Sequence, residues 1–206
     1  MGSRTVGDRS ITLASDDFEL FDVPRRFAQD RAALDARWKD LQREAHPDRF
    51  AAKGAAAQRL AMQWSVRINE AYQRLKDPLR RAAYLCELGG APVNAESNTA
   101  MPAQFLLQQM EWREELEATT SAAEADAFNT RVMDEKRKVL RDCEELLDAQ
   151  HDYAQAVGRV RALMFIERFC ADIEARLAHF ETLPQGASFC IAGHPIRAAA
   201  RDRELD

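Results

Sequence analysis

The sequence predicts an all-α protein, an N-terminal helical hairpin followed by an antiparallel three-helix bundle, and three observations predict it. Among 206 residues there are only 8 glycines and 7 prolines. An average chain carries roughly 12% of the two combined, so turns are few and helices long. Apolar residues recur at i, i+3, i+4 and i+7 through most of the chain. The turn-forming residues Gly89, Gly90, Pro92, Asn94, Ser97 and Asn98 gather in one stretch of linker composition, which divides the helices into two groups.

The elements come in order. Phe18, Leu20, Phe21 and Val23, closed by Pro24, fit a short helix or turn. Asp30 offers an N-cap to a helix carrying Leu34, Trp38, Leu41 and Ala45, and Pro47 ends it at His46, because a proline disfavours helix in the residue before it. Asp48 to Gly54 reads as a polar loop. Ala57, Leu60, Ala61, Trp64, Ile68, Ala71, Tyr72 and Leu75 then form one helical stripe. Asp77-Pro78 is an N-cap followed by proline at the first helical position, opening a helix with Leu79, Ala82, Ala83 and Cys86 that stops at Gly89-Gly90.

Beyond residues 91–101 come three long patterns, from Pro102 to about Glu117, from about Ala122 to Gln150, and from Tyr153 to Phe180. Short connections between amphipathic helices give an antiparallel bundle. The expected organisation is therefore residues 1–15 disordered, 16–90 the hairpin domain, 91–101 a linker, 102–183 the bundle and 184–206 a flexible tail broken by Pro184, Gly186, Gly193 and Pro195.

Charge and composition exclude several roles. With 29 Lys+Arg against 34 Asp+Glu and a net charge of −5, the chain has no overall basic character with which to neutralise phosphates, and no nucleic-acid partner is expected. No uncharged apolar run approaches the roughly 18 residues of a membrane span, so no membrane partner is expected either. The first fifteen residues lack an apolar signal core; their Ser, Thr and Arg content suits a transit peptide or a disordered start, and the second is expected. Cys86, Cys143, Cys170 and Cys190 lie far apart, and the first three fall on apolar helix faces, as buried thiols in a reducing cytosol would.

His46-Pro47-Asp48 stands out by falling between two amphipathic helices. A His and an Asp two residues apart could form an acid/base pair or two metal ligands. The rest of such a site is missing: the other histidines are His151, His179 and His194, and the chain has neither a GxSxG elbow nor a glycine-rich phosphate loop. On local grounds the tripeptide is also a turn in which Pro47 stops the helix and Asp48 caps the next segment. Cys190 and His194 are too few for a structural zinc. No metal, no cofactor and no enzymatic activity are expected.

His46-Pro47-Asp48 in this position, flanked by Arg37-Trp38-Lys39 and Arg49-Phe50 and followed by Ile68-Asn69-Glu70-Ala71-Tyr72 and Leu75-Lys76-Asp77-Pro78, resembles a J-domain. The runs DPLRRAAYLCELG (Asp77 to Gly89) and FLLQQMEWREEL (Phe105 to Leu116) narrow the resemblance to the HscB co-chaperones of iron-sulfur cluster assembly, over about Asp17 to Phe180. The resemblance implies an L-shaped, cytoplasmic, bacterial-type protein that docks on a specialised 70-kDa heat-shock chaperone of the HscA type and stimulates its ATPase. It assigns that docking to His46, Pro47 and Asp48, with Arg37, Lys39, Arg43 and Arg49 as supporting charge. Asp22 stands where relatives often have Gly. The cysteine-rich extension of eukaryotic relatives is absent.

The first bundle helix says something by itself. On a helical wheel started at Phe105, Trp112 and Leu116 fall at about 340° and 20°, whereas Leu106, Met110 and Leu107 fall at about 100°, 140° and 200°. The first set can fill a core. The second is surplus apolar surface interleaved with Arg113, Glu114 and Glu117, as a protein-binding patch requires. The resemblance implies that this helix binds the cluster scaffold protein IscU through Leu106, Leu107, Met110, Glu111 and Glu114, with Phe165 as a further contact. Two alternatives stay open at this level. The leucines could pack against the hairpin domain, and the chain could be a J-domain co-chaperone with a different client.

Overall fold

The structure, a computed structural model, describes residues 4–6, 9–93 and 103–182. The order of elements is β1 (Arg4–Val6), β2 (Arg9–Ile11), α1 (Asp17–Phe21), α2 (Arg31–Ala45), a 3-10 helix (Pro47–Lys53), α3 (Ala55–Lys76), α4 (Pro78–Leu88), α5 (Ala103–Ala118), α6 (Ala122–Glu144), a π turn (Glu145–Ala149) and α7 (Tyr153–Thr182). The protein is all-α in its bulk, as the sequence predicts. The expected linker residues 94–101 and the expected tail 184–206 lie outside the described residues.

The composition of residues 1–15 predicts disorder, yet Arg4–Val6 pairs antiparallel with Arg9–Ile11 in the register Arg4↔Ile11. Ile11 is buried, and Arg67 on α3 donates to the carbonyls of Leu13 and Ser15 at 3.3 and 2.8 Å. An apolar anchor and two charge-assisted bonds hold this segment, and its polar composition conceals both.

In the N-terminal unit, α2 and α3 form the hairpin, and α1 closes one end. Phe18, Phe21, Leu34, Leu41, Ile68 and Leu75 are fully buried between them, each stabilising the fold by about 1.5–3 kcal/mol. Asp16 caps α1 by accepting from the Glu19 N–H at 2.9 Å, and α1 stops at Asp22 in the left-handed region, φ 55°. A position with that φ favours glycine, and aspartate is among the few other residues that tolerate it, so Asp22 for Gly keeps the cap. The buried Asp17 carboxylate is paired by Arg67 at 2.6 Å and Arg74 at 3.0 Å, which makes its burial tolerable. Tyr84 on α4 stacks on Phe18 at 5.9 Å and accepts from the Asp17 N–H at 3.1 Å.

In the C-terminal unit, α6 and α7 pack along their length through Phe128, Val132, Val139, Cys143, Val160, Leu163, Ile166, Phe169 and Ile173. Ser121 caps α6, its Oγ accepting from the Glu124 N–H, and Glu124 reaches back past the cap to accept from the Thr120 N–H at 2.7 Å. Those bonds hold the Glu124 carboxyl below its ordinary pKa. Helix α5 is fastened at its end by Arg176 on α7, which donates to the Thr119 carbonyl and, at 3.2 Å, to its hydroxyl.

The two units share one continuous core in which α4 packs on α7. Val93, at the start of the expected linker, is docked: its carbonyl accepts from Arg161 at 2.8 and 3.2 Å. Cys86 on α4 and Cys143 on α6 are buried as expected, whereas Cys170 is only half-buried. Burial pushes the Cys86 thiol up to about 11 and Cys143 up to about 12, the latter aided by Cys86 itself. Since the thiolate is the nucleophile, both thiols are held in the unreactive protonated form at pH 8. Iodoacetamide at that pH should leave Cys86 and Cys143 unlabelled in the folded protein and label both after denaturation; mass-spectrometric labelling of the native protein at free-thiol rates would contradict this packing.

Candidate functional site

The tripeptide sits at the free end of the hairpin. Helix α2 ends at Ala45 because Pro47 disfavours helix at His46, whose ψ is 126°. Where the sequence predicts a polar loop from Asp48 to Gly54, the next element is a 3-10 helix, Pro47–Lys53. Phe50 is buried and anchors it, with Lys53 over the ring at 5.3 Å. The cap also differs from expectation. His46 rather than Asp48 supplies it, its Nδ1 accepting from the Asp48 N–H at 3.3 Å. Nδ1 so used leaves the proton of the neutral ring on Nε2. The Asp48 carboxylate lies 3.6 Å from the same nitrogen and is 88% exposed.

Three side chains hold the hairpin shut just behind this end. Asn69 on α3 accepts from Trp38 Nε1 at 2.9 Å and from Gln42 Nε2 at 2.8 Å, and Gln42 also donates to the Ser65 carbonyl at 3.2 Å. Trp38 stacks on Tyr72 with 4.8 Å between ring centres. Sequence reasoning does not single these out as functional, although Trp38 and Asn69 lie within the runs that carry the resemblance.

The supporting charges divide. Lys39, Arg43 and Arg49 are exposed. Arg43 pairs with Asp40 at 3.1 Å in an exposed i,i+3 bridge, worth about 0–1 kcal/mol and easily exchanged for a partner's carboxylate. Arg49 donates to the Arg43 carbonyl at 3.2 Å, tying the 3-10 helix to the end of α2. Arg37 is half-buried and donates to the Phe21 carbonyl at 3.3 Å, so its guanidinium is partly committed to holding α1.

Helix α5 carries the second surface. Leu106, Leu107 and Met110 are 46%, 59% and 59% exposed, which disposes of the alternative that they pack against the hairpin domain. Glu111 and Glu114 flank them and are exposed. The opposite face is a column of rings. Trp112 stacks on Phe165 at 6.1 Å and Phe169 at 5.6 Å and meets Phe128 edge-on at 6.5 Å. Phe165 is half-buried, its ring edge-to-face with Phe105 at 5.5 Å, so it backs α5 more than it faces solvent. Glu115 pairs with Arg131 across to α6. Aromatic pairs of this kind add about 0.5–1.5 kcal/mol each beyond area burial, which seats the helix while leaving three apolar side chains in water.

Among the described residues, no group of three or more His, Cys, Asp or Glu side chains could hold a metal ion, and no helix is long and apolar enough to cross a membrane. A helical hairpin with His-Pro-Asp at its tip, packed on a helical bundle, defines a J-domain co-chaperone. The comparisons with known proteins refine that. The family model "HSCB C-terminal oligomerisation domain" matches residues 101–174. A co-chaperone protein HscB homolog of Burkholderia multivorans is 48% identical over 175 residues, which are 84% of this chain and 99% of the relative. Chaperone HscB from Vibrio cholerae superposes with a TM-score of 0.70 at 36% identity, covering 81% of this chain and 99% of that one. The human co-chaperone protein HscB gives 0.75 at 27%, covering 79% and 82%. The chain belongs to the HscB co-chaperone family.

Proposed function

We propose that this co-chaperone binds the iron-sulfur scaffold protein IscU on α5 and delivers it to an HscA-type 70-kDa chaperone, whose ATPase it stimulates through His46-Pro47-Asp48. Residues 16–90 serve the chaperone and residues 102–183 the scaffold. The observation that carries the reading is the pairing of two outward-facing sites on one continuous core. The exposed cations Lys39, Arg43 and Arg49 suit an acidic ATPase surface and steering by charge speeds that encounter, while the exposed Asp48 carboxylate suits a cationic or N–H donor group at its centre. Three exposed apolar side chains rimmed by Glu111 and Glu114 suit a protein groove. Phe165 contributes mainly by holding Phe105 and Trp112 under the patch.

The mechanism is coupling without chemistry in this chain. Binding both partners to one body converts their encounter into an intramolecular one and raises the effective concentration of each for the other. Steady-state ATPase of the chaperone with the scaffold alone, with this protein alone and with both tests it. Synergy well beyond the sum of the separate stimulations is the expected result. Stimulation by this protein that ignores the scaffold would keep the J-domain role and point to a different client, and no stimulation would sink the reading.

A further inference from the structure

The run DPLRRAAYL is not used by either surface, and its contacts lead to the joint between the two units. Asp77 caps α4 by accepting from the Arg80 N–H at 3.0 Å, Tyr84 holds α1, and Ala82 and Leu85 are buried. Arg81 is buried too: it donates to the Leu75 carbonyl and its guanidinium lies 5.0 Å over the ring of Phe27. Facing this from the bundle is Asp148 on the π turn. Its two carboxylate oxygens accept from the N–H groups of Phe27 and Ala28 at 2.5 and 2.9 Å. Gly89 completes the joint, since a Cβ there would overlap the Tyr153 ring.

We propose that Asp148 is a positioning residue, a clasp that fixes the angle between the tripeptide and the α5 patch and thereby sets how well chaperone and scaffold are coupled; this rests on the function proposed above. Phe27 and Ala28 lie just before Asp30, the cap of α2. The clasp therefore grips the base of the helix whose far end carries His46-Pro47-Asp48. Fifteen residues make α2 about 22 Å long, so a tilt of about 10° at the base moves the tripeptide by about 4 Å. A π turn presents a side chain at a register that an α-helix would not, and such turns recur at functional positions. A carboxylate bridging two successive backbone N–H groups is both strong and directional.

The test uses the full chain. In the wild type, the Phe27 and Ala28 amides should be protected from hydrogen exchange, and one alignment tensor should fit the residual dipolar couplings of α2, α3, α6 and α7. In Asp148→Ala both amides should exchange at least tenfold faster and two tensors should be needed. The scaffold-independent ATPase stimulation and the scaffold affinity should each stay within about twofold, while the synergy drops at least fivefold. Asp148→Asn keeps one acceptor and should recover part of the synergy; it also carries the comparison if the alanine variant fails to fold. Unprotected wild-type amides, or a clasp variant with one tensor and full synergy, would overturn the proposal. Absence of synergy in the wild type would remove the coupling function instead, and exchange and alignment would then decide the clasp alone.

Discussion

Replacing Asp48 by Asn should reduce stimulation of the chaperone ATPase to the basal rate while leaving scaffold affinity within about twofold. The carboxylate is 88% exposed, and the His46 ring lies 3.6 Å from it. Removing its charge should cost the fold no more than about 0.5 kcal/mol. The backbone bond that builds the turn, from the Asp48 N–H to His46 Nδ1, survives in the amide. On the proposed docking the variant would lose one partner of a charge-assisted contact, a loss of about 2–5 kcal/mol in comparable complexes. That is about thirtyfold to several thousandfold in affinity. Concentrations that nearly saturate the wild type would then leave most of the variant unbound. Circular dichroism, scaffold titration and ATPase on one preparation separate the effects. Loss of scaffold binding in a still-folded variant would mean that the two surfaces are not separate.

The second large effect should come from the α5 patch. Converting Leu106, Leu107 and Met110 together to Ala should weaken scaffold binding by more than tenfold and nearer a hundredfold, at about 1 kcal/mol or more for each anchor. These side chains are in water in the free protein, so truncation leaves no cavity and improves helix propensity. Thermal stability should hold or rise slightly, which distinguishes a binding surface from a core. Basal ATPase stimulation through the tripeptide should be unchanged. Unaltered scaffold affinity by calorimetry would favour a different client for the same J-domain.

Much of this is legible in the sequence because helices announce themselves locally. Leu34, Trp38 and Leu41, or Phe128, Val132 and Val139, are spaced by the geometry of a single helix, and the wheel on α5 separates Leu106, Leu107 and Met110 from Trp112 and Leu116 without tertiary information. The hidden features depend on partners far away in sequence. Asp148 looks like any solvated acid until Phe27 and Ala28 arrive from 121 and 120 residues away. Phe165 sits at the edge of its apolar arc, and only the rings of Phe105 and Trp112 show that it supports α5. Arg37 reads as another docking cation until the Phe21 carbonyl engages it. At the tripeptide, the sequence places Pro47 correctly as the stop but cannot say that an imidazole, rather than the usual carboxylate, caps the 3-10 helix.

The separation across the clasp also has a meaning on the ribosome. At about 5–20 residues per second, the chain between Ala28 and Asp148 takes roughly 6–24 s to synthesise, whereas helical contacts close in microseconds to milliseconds. Through that interval the nascent hairpin can assemble with the Phe27 and Ala28 amides still open to water. The orientation of the tripeptide is therefore fixed only well after the hairpin that carries it can exist, in the same late stage of synthesis that brings α7 under α5.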